Sequence, residues 1–187
     1  MSRAVDSSPD ALPPRSLSPG PLLAEQLGRI QLLVLDVDGI LTDGGLYYTE
    51  SGEILKKFNV KDGLGIKRLT KGGVQVAIIS ANSSEATLHR AQQLNVEHVF
   101  INVKNKIATL KTLCKKLGIE LSAVASMGDD LSDLPVMQAV GYPMTVADAM
   151  PENIACAMYV TRKGGGQGAV REVCDRILLA KSAVQSE

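Results

Sequence analysis

Apolar and polar positions alternate along this chain in blocks rather than residue by residue. Residues 30–35 are apolar except for Gln31, and the unbroken run at 32–35 is closed by Asp36, Val37, Asp38 and Gly39. Short runs of this kind read as strands buried on both faces, as in parallel sheets. A second buried strand is predicted over 74–79, with shorter ones near 98–101, 123–127, 142–146 and 158–161. Between them lie segments of helical spacing: a lead-in over 22–28, then 62–71 stopped by Gly72 and Gly73, and 83–94. Further helical segments are 104–117 ended by Gly118, 131–140 and 170–183. Strand alternating with helix predicts an α/β fold: a Rossmann-like parallel central sheet with helices on both faces. One segment breaks the alternation. Residues 46–49 and 53–58 flank a turn at Glu50, Ser51 and Gly52 and read as a protruding β-hairpin. It is too small to be a cap domain.

Composition narrows the class. With 187 residues, 45% of them hydrophobic and 21% charged, the chain suits a single globular domain, expected over 22–187. Residues 1–21 are rich in Ser and Pro without an apolar stretch and read as a disordered tail, not a secretory signal. Asp6 and Asp10 also argue against a transit peptide. No run is long enough to span a bilayer, so no membrane partner is expected. Twenty basic and 20 acidic side chains leave no net charge and no electrostatic footprint for nucleic acid. Cys114, Cys156 and Cys174 lack metal or disulfide spacing and fit reduced thiols in a cytoplasmic protein. His89 and His98 also lie outside any ligand spacing.

The candidate chemistry sits where strands end. Side chains at i and i+2 of a strand point the same way, which puts Asp36 and Asp38 on one face at the carboxyl end of the first strand. Two carboxylates that close call for a proton or a cation between them. Ser80 follows the second strand and can donate to a phosphate oxygen beside a helix N-terminus, or cap that helix. Lys106 stands in the first turn of the next helix, where a positive charge opposes the macrodipole unless it faces an anion. After the strand at 123–127 come Gly128, Asp129, Asp130 and then Asp133, a carboxylate set suited to a hard cation such as Mg²⁺.

The order DxDG, Ser, Lys, GDDxxD, each after a strand, resembles the haloacid dehalogenase (HAD) superfamily of phosphatases. Four segments resemble one branch of it more closely. They are DVDGILTDG at 36–44, FNVKDG at 58–63, GDDLSDLPVM at 128–137 and GGQGAVREVCD at 165–175. Together they are similar to the capless 3-deoxy-D-manno-octulosonate 8-phosphate (Kdo-8-phosphate) phosphatases, over residues 30–181. The resemblance implies a Mg²⁺-dependent hydrolase of lipopolysaccharide biosynthesis. In it Asp36 is nucleophile, and Asp38 is the acid and then the base. Asp36, Asp129 and the Asp38 carbonyl hold the metal, and Ser80 and Lys106 bind the transferring phosphoryl group. Asp133 orients a metal-bound water or Lys106, and Asp130 contacts metal water or caps a helix. Substrate contacts are implied at Asn59, Val60, Lys61, Asp62, Gly63, Lys67, Asn82 and Arg90. The family is tetrameric, which implies a homotetramer built through the 46–58 hairpin. The Gly-rich loop at 164–168 is then expected near a neighbour's site or as part of a C-terminal flap.

Three family arginines are replaced here, by Lys61, Asn82 and Gln167. A lysine keeps the charge and loses the bidentate fork that suits a carboxylate. The replacements keep a second substrate in view, a nonulosonate 9-phosphate of the sialic acid type. An alternative of another class is a non-catalytic phosphatase-like oligomerisation module, against which the retained Asp36, Asp38, Ser80, Lys106 and Asp129 argue.

Overall fold

The computed structural model describes residues 21–184, and side chains of 25–183. Residues 1–20, nearly all of the expected tail, lie outside it. The chain runs α1 (Pro21–Gly28), β1 (Leu32–Leu35), β2 (Tyr47–Tyr48), β3 (Ile54–Leu55), α2 (Val60–Lys71), β4 (Gln75–Ile79), α3 (Glu85–Leu94) and β5 (His98–Phe100). It continues α4 (Lys106–Leu117), β6 (Val124–Met127), α5 (Leu134–Met137), β7 (Tyr142–Thr145), α6 (Pro151–Cys156), β8 (Tyr159–Val160) and α7 (Ala169–Val184).

Six strands form one parallel sheet in the order β5-β4-β1-β6-β7-β8. The chain leaves β1 toward β4 and β5, then returns to the other side for β6, β7 and β8. This reversal opens a crevice outside the carboxyl ends of β1 and β6, where open α/β sheets bind ligands. The pleat explains why β1 is apolar throughout. Leu33 and Leu35 join a core with Leu27 of α1, Ile66 and Leu69 of α2, and Val173 and Ile177 of α7. Leu32 and Val34 point the other way, into a core with Leu110 and Leu113 of α4 and Val136 of α5. Each face buries its own helical layer, so no position on β1 is left for a polar residue until Asp36.

The structure departs from the predicted elements in three places. The helix expected over 131–140 is a 3₁₀ turn (Leu131–Asp133) followed by the single-turn α5. Helix α6 was not foreseen; six residues opening on Pro151 give little periodicity to read. The Gly-rich loop is not a flap. Gly165 and Gly166 are buried against the chain's own segment 39–43 and Gly164 against Asp148, and α7 after them packs in the core. Gly166 N–H donates to Ile40 O at 3.0 Å, and a Cβ on Gly165 would lie 1.8 Å from Gly39 O. Only a residue without a side chain allows that approach. The hairpin forms as expected, antiparallel but with two residues in each strand.

Candidate active site

Asp36 prolongs β1 by one residue: its N–H donates to Met127 O of β6 at 3.1 Å. The backbone then coils. The N–H groups of Leu41 and Thr42 both donate to Val37 O, at 2.9 and 3.0 Å, and Gly39 takes the left-handed φ of +84°. A Cβ on Gly39 would sit 2.0 Å from Asp129 Oδ2. The glycine after the DxD pair therefore lets the Asp129 carboxylate come close to the turn after Asp36.

Lys106, at the start of α4, is buried, with Nζ 2.8 Å from Asp36 Oδ1 and 2.7 Å from Asp133 Oδ1. Its position in the first turn is thus offset by two carboxylates. The other Asp133 oxygen accepts the Asp129 N–H at 3.2 Å. Around it the GDD segment is tied on every side. Thr145 Oγ1 donates to Gly128 O at 2.7 Å, Met150 N–H to Asp129 O at 2.9 Å and Asn153 Nδ2 to Asp130 O at 3.0 Å. Asp36, Asp129 and Asp133 each bring a carboxylate oxygen within 4.8 Å of the others. Asp130 is exposed and accepts the Leu131 N–H at 2.6 Å, which makes it a helix cap.

The electrostatics follow from the crowding. Burial, then the Asp133 charge, push Asp36 up to about 6 against the pull of Lys106. Burial, then Asp36 and Asp133, push Asp129 up to about 7. Burial works against the Lys106 charge, but Asp36 and Asp133 outweigh it and hold the ammonium above its ordinary value.

Ser80 stands at the end of β4, buried, its N–H donating to Phe100 O at 2.9 Å and its Oγ accepting the Asn82 N–H at 3.2 Å. Asp38 does not share the three-carboxylate cluster. Lys56 Nζ, from the foot of the hairpin, pairs with Asp38 Oδ1, and Asn82 Nδ2 donates to Oδ2 at 3.4 Å. Lys56, which directly follows β3, was not foreseen in the sequence, where nothing local sets it apart from its neighbour Lys57.

A model of haloacid dehalogenase-like hydrolases matches residues 98–172. The chain is 46% identical over 165 residues to the 3-deoxy-D-manno-octulosonate 8-phosphate phosphatase of Escherichia coli K12, covering 87% of this chain and 88% of that protein. It belongs to the Kdo-8-phosphate phosphatase family. The family member from Yersinia pestis has a crystal structure 42% identical to this chain, with a TM-score of 0.84 and coverage of 87% of this chain and 88% of that one. The enzyme from Moraxella catarrhalis, solved with magnesium, phosphate and Kdo, is 40% identical with a TM-score of 0.83, covering 87% of this chain and 94% of that one.

The Kdo-8-phosphate phosphatase site here fits Mg²⁺. The donors are hard oxygens. Asp129 Oδ1 is buried with no hydrogen-bond partner among the described residues, and a cation would relieve the charge crowding that raises Asp36 and Asp129.

The expected substrate residues divide. Val60, Lys61 and Lys67 are exposed on α2. Asn59 caps α2, accepting the Lys61 N–H at 2.8 Å, and its Nδ2 donates to Gly166 O at 3.0 Å. Arg90 donates to Asn59 O at 2.9 Å. Asp62 turns inward, 1% exposed. It accepts N–H groups of Gly168 and Arg171 at 3.3 and 2.8 Å, which pins the start of α7. Burial holds its carboxyl above the ordinary value against those two bonds. Gly63 is buried beneath the Arg90 guanidinium. Asn59, Asp62 and Arg90 are thus engaged within the chain, whereas Lys61 and Lys67 are exposed on α2.

Proposed function

We propose that this protein is a Mg²⁺-dependent phosphatase that hydrolyses Kdo-8-phosphate to Kdo and phosphate. The single observation that carries the reading is the pairing of Lys106 with Asp36 at the reversal of the sheet, in a chain 46% identical to named Kdo-8-phosphate phosphatases. Asp36 is the nucleophile: one carboxylate oxygen is fixed by Lys106, which leaves the other to attack phosphorus and form an aspartyl-phosphate. Lys106 and Ser80 neutralise and orient the phosphoryl oxygens. Asp38 protonates the departing sugar oxygen and then takes a proton from the attacking water. Asp36, Asp129 and the Asp38 carbonyl hold the metal, which supplies charge neutralisation between the carboxylate and the phosphate. Asp133 keeps Lys106 and the Asp129 backbone in place. Lys61 and Lys67 meet the acidic sugar at the rim.

The hairpin supports a homotetramer. Leu46, Tyr47, Tyr48, Ile54 and Leu55 are all exposed there, a density of apolar surface that marks an association site. The reading places the enzyme in the cytoplasm, in lipopolysaccharide biosynthesis. Among the described residues no helix is long and apolar enough to cross a membrane.

The test is phosphate release with Mg²⁺ from Kdo-8-phosphate, a nonulosonate 9-phosphate and simple hexose phosphates. A clear preference for the first is expected. Preference for the 9-phosphate overturns the substrate, and release from none overturns the activity. Asp36→Asn is expected to lose at least ~10³-fold in kcat, and substantial residual turnover refutes the covalent route.

A further inference from the structure

Both Asp38 oxygens are held, and neither holder belongs to the strand-end cluster. Lys56 Nζ donates to Oδ1 as an ion pair, and Asn82 Nδ2 reaches Oδ2 with a long bond of 3.4 Å. Lys56 directly follows β3, both of whose residues are exposed. Its own side chain is 1% exposed, whereas Asp38 keeps 31%. An ammonium taken out of water costs several kcal/mol unless it is paired, so packing alone does not account for a lysine at this place. The next residue, Lys57, pairs with Asp43. The two lysines tie the foot of the hairpin to both ends of the turn that carries Gly39, and the Asp38 carboxyl is one of the two knots.

We infer that Lys56 is a positioning residue for catalysis, one that fixes Asp38 Oδ1 and thereby aims Oδ2 at the leaving-group oxygen. The inference rests on the proposed phosphatase function. In the step concerned, an Asp36 oxygen bonds to phosphorus. The bond from phosphorus to the sugar oxygen breaks with its electron pair on that oxygen, which takes the proton carried by Asp38 Oδ2. The products are the sugar alcohol, the aspartyl-phosphate and the Asp38 carboxylate. Oδ2 is the oxygen free to exchange a proton, because its one protein bond is long, while Lys56 holds Oδ1. A misplacement of about 1 Å in such a group costs on the order of 10²-fold in rate. The loss falls on leaving groups that need the proton, such as a sugar alkoxide, and spares those that leave as stable anions, such as p-nitrophenolate.

The experiment compares kcat/KM for Kdo-8-phosphate and for p-nitrophenyl phosphate, with Mg²⁺, in wild type, Asp38→Asn, Lys56→Met and Lys56→Gln. Both substrates are read on one preparation, so partial unfolding lowers both values alike. Lys56→Met is expected to lose at least about tenfold more on the sugar phosphate than on the aryl phosphate, in the same direction as Asp38→Asn. Lys56→Gln, which keeps a donor without the charge, serves the same reading if Lys56→Met does not fold. Equal losses on the two substrates, or wild-type kcat/KM in the folded Lys56 variants, overturn the inference and leave the phosphatase standing. A wild type that releases phosphate from neither substrate overturns the function itself.

Discussion

The strand-end cluster and the rim around it are built on opposite principles. In the cluster the charges are largely enclosed and tied to one another: Lys106 to Asp36 and Asp133, and the Asp129 backbone to Asp133 and Met150, with the Asp129 carboxylate left for a cation. At the rim the hairpin holds its apolar side chains in the open, and Lys61 and Lys67 stand out from α2. The cluster grows from the ends of β1, β4 and β6, whose positions the sheet fixes by its hydrogen bonds. The rim grows from segments between strands, which the sheet does not constrain. On the proposed function, phosphoryl chemistry falls to the rigid part and substrate choice to the less constrained one.

The largest effect should come from removing the cation on which the cluster depends. Lys106→Met leaves Asp36 and Asp133 buried as like charges without a partner, a change worth about 3–5 kcal/mol of stability. Turnover should fall by at least ~10²-fold, since the nucleophile loses its orientation and the phosphoryl group its counter-charge. Urea unfolding and phosphate release measure the two losses. Activity within tenfold of wild type would break the view of the cluster as one unit. Next comes the seam between the two regions. Gly165→Ala places a Cβ 1.8 Å from Gly39 O, a backbone atom with no room to yield. It should cost about 1–3 kcal/mol or more and lower kcat with it, because the displaced loop carries the Asp38 and Gly39 turn. An unchanged melting temperature would mean that the rim loop does not bear on the cluster.

The cluster was far more legible in the sequence than the rim, for the same physical reason that separates them. Asp36, Ser80 and Asp129 each come at the end of an apolar run that reads as a buried strand, and Lys106 opens the helix after the short β5, so the sheet brings them together once the runs are recognised. Asp133 was readable because it recurs four residues after Asp129. Lys56 was not, because a hairpin of two-residue strands gives no register from which to tell an inward side chain from an outward one. Asp62 read as a ligand from its motif, yet its partners, Gly168 and Arg171, lie more than a hundred residues away and left no local trace. The Gly-rich loop was expected near a neighbour's site or in a C-terminal flap; here Gly165 and Gly166 permit burial against Gly39 and Thr42 of the same chain.

The electrostatics of the cluster give an intermediate effect with a definite sign. Asp36 and Asp129 are raised from an ordinary 3.8 to about 6 and about 7. An unfolded chain releases both protons above the ordinary value, while the metal-free native state keeps them. This contribution to stability is therefore full below 3.8 and declines as pH rises toward about 7. Mg²⁺ needs both carboxylates ionised, so it reverses the trend. The gain in stability on adding Mg²⁺, read as a rise in melting temperature, should be small at a pH of about 5.5 and largest near 8, approaching about 2.7 kcal/mol at a hundredfold excess over Kd. Differential scanning fluorimetry measures it, and Asp129→Asn should remove most of it. A gain independent of pH would mean that the metal does not compete with protons at these two carboxylates.

The smallest effect on the fold is expected at the hairpin, and it probes the other side of the comparison. Tyr48 is 63% exposed and Leu55 55%, so neither supports the core of its own subunit. Replacing both with serine should change the stability of the single chain by no more than about 0.5 kcal/mol. If these side chains are buried between copies, the double variant should sediment as a monomer at micromolar concentration where wild type sediments as a tetramer. The two measurements must be taken together. A tetramer that survives places the interface elsewhere, and a wild type that is already monomeric makes the hairpin an exposed apolar surface with a different partner. A monomeric variant with unchanged kcat/KM on p-nitrophenyl phosphate but a raised KM for Kdo-8-phosphate would sharpen the comparison most. It would mean that the cluster works in one chain alone while the rim is completed by a neighbour. Lys56, at the foot of the same hairpin, would then be the one rim residue on which the cluster depends.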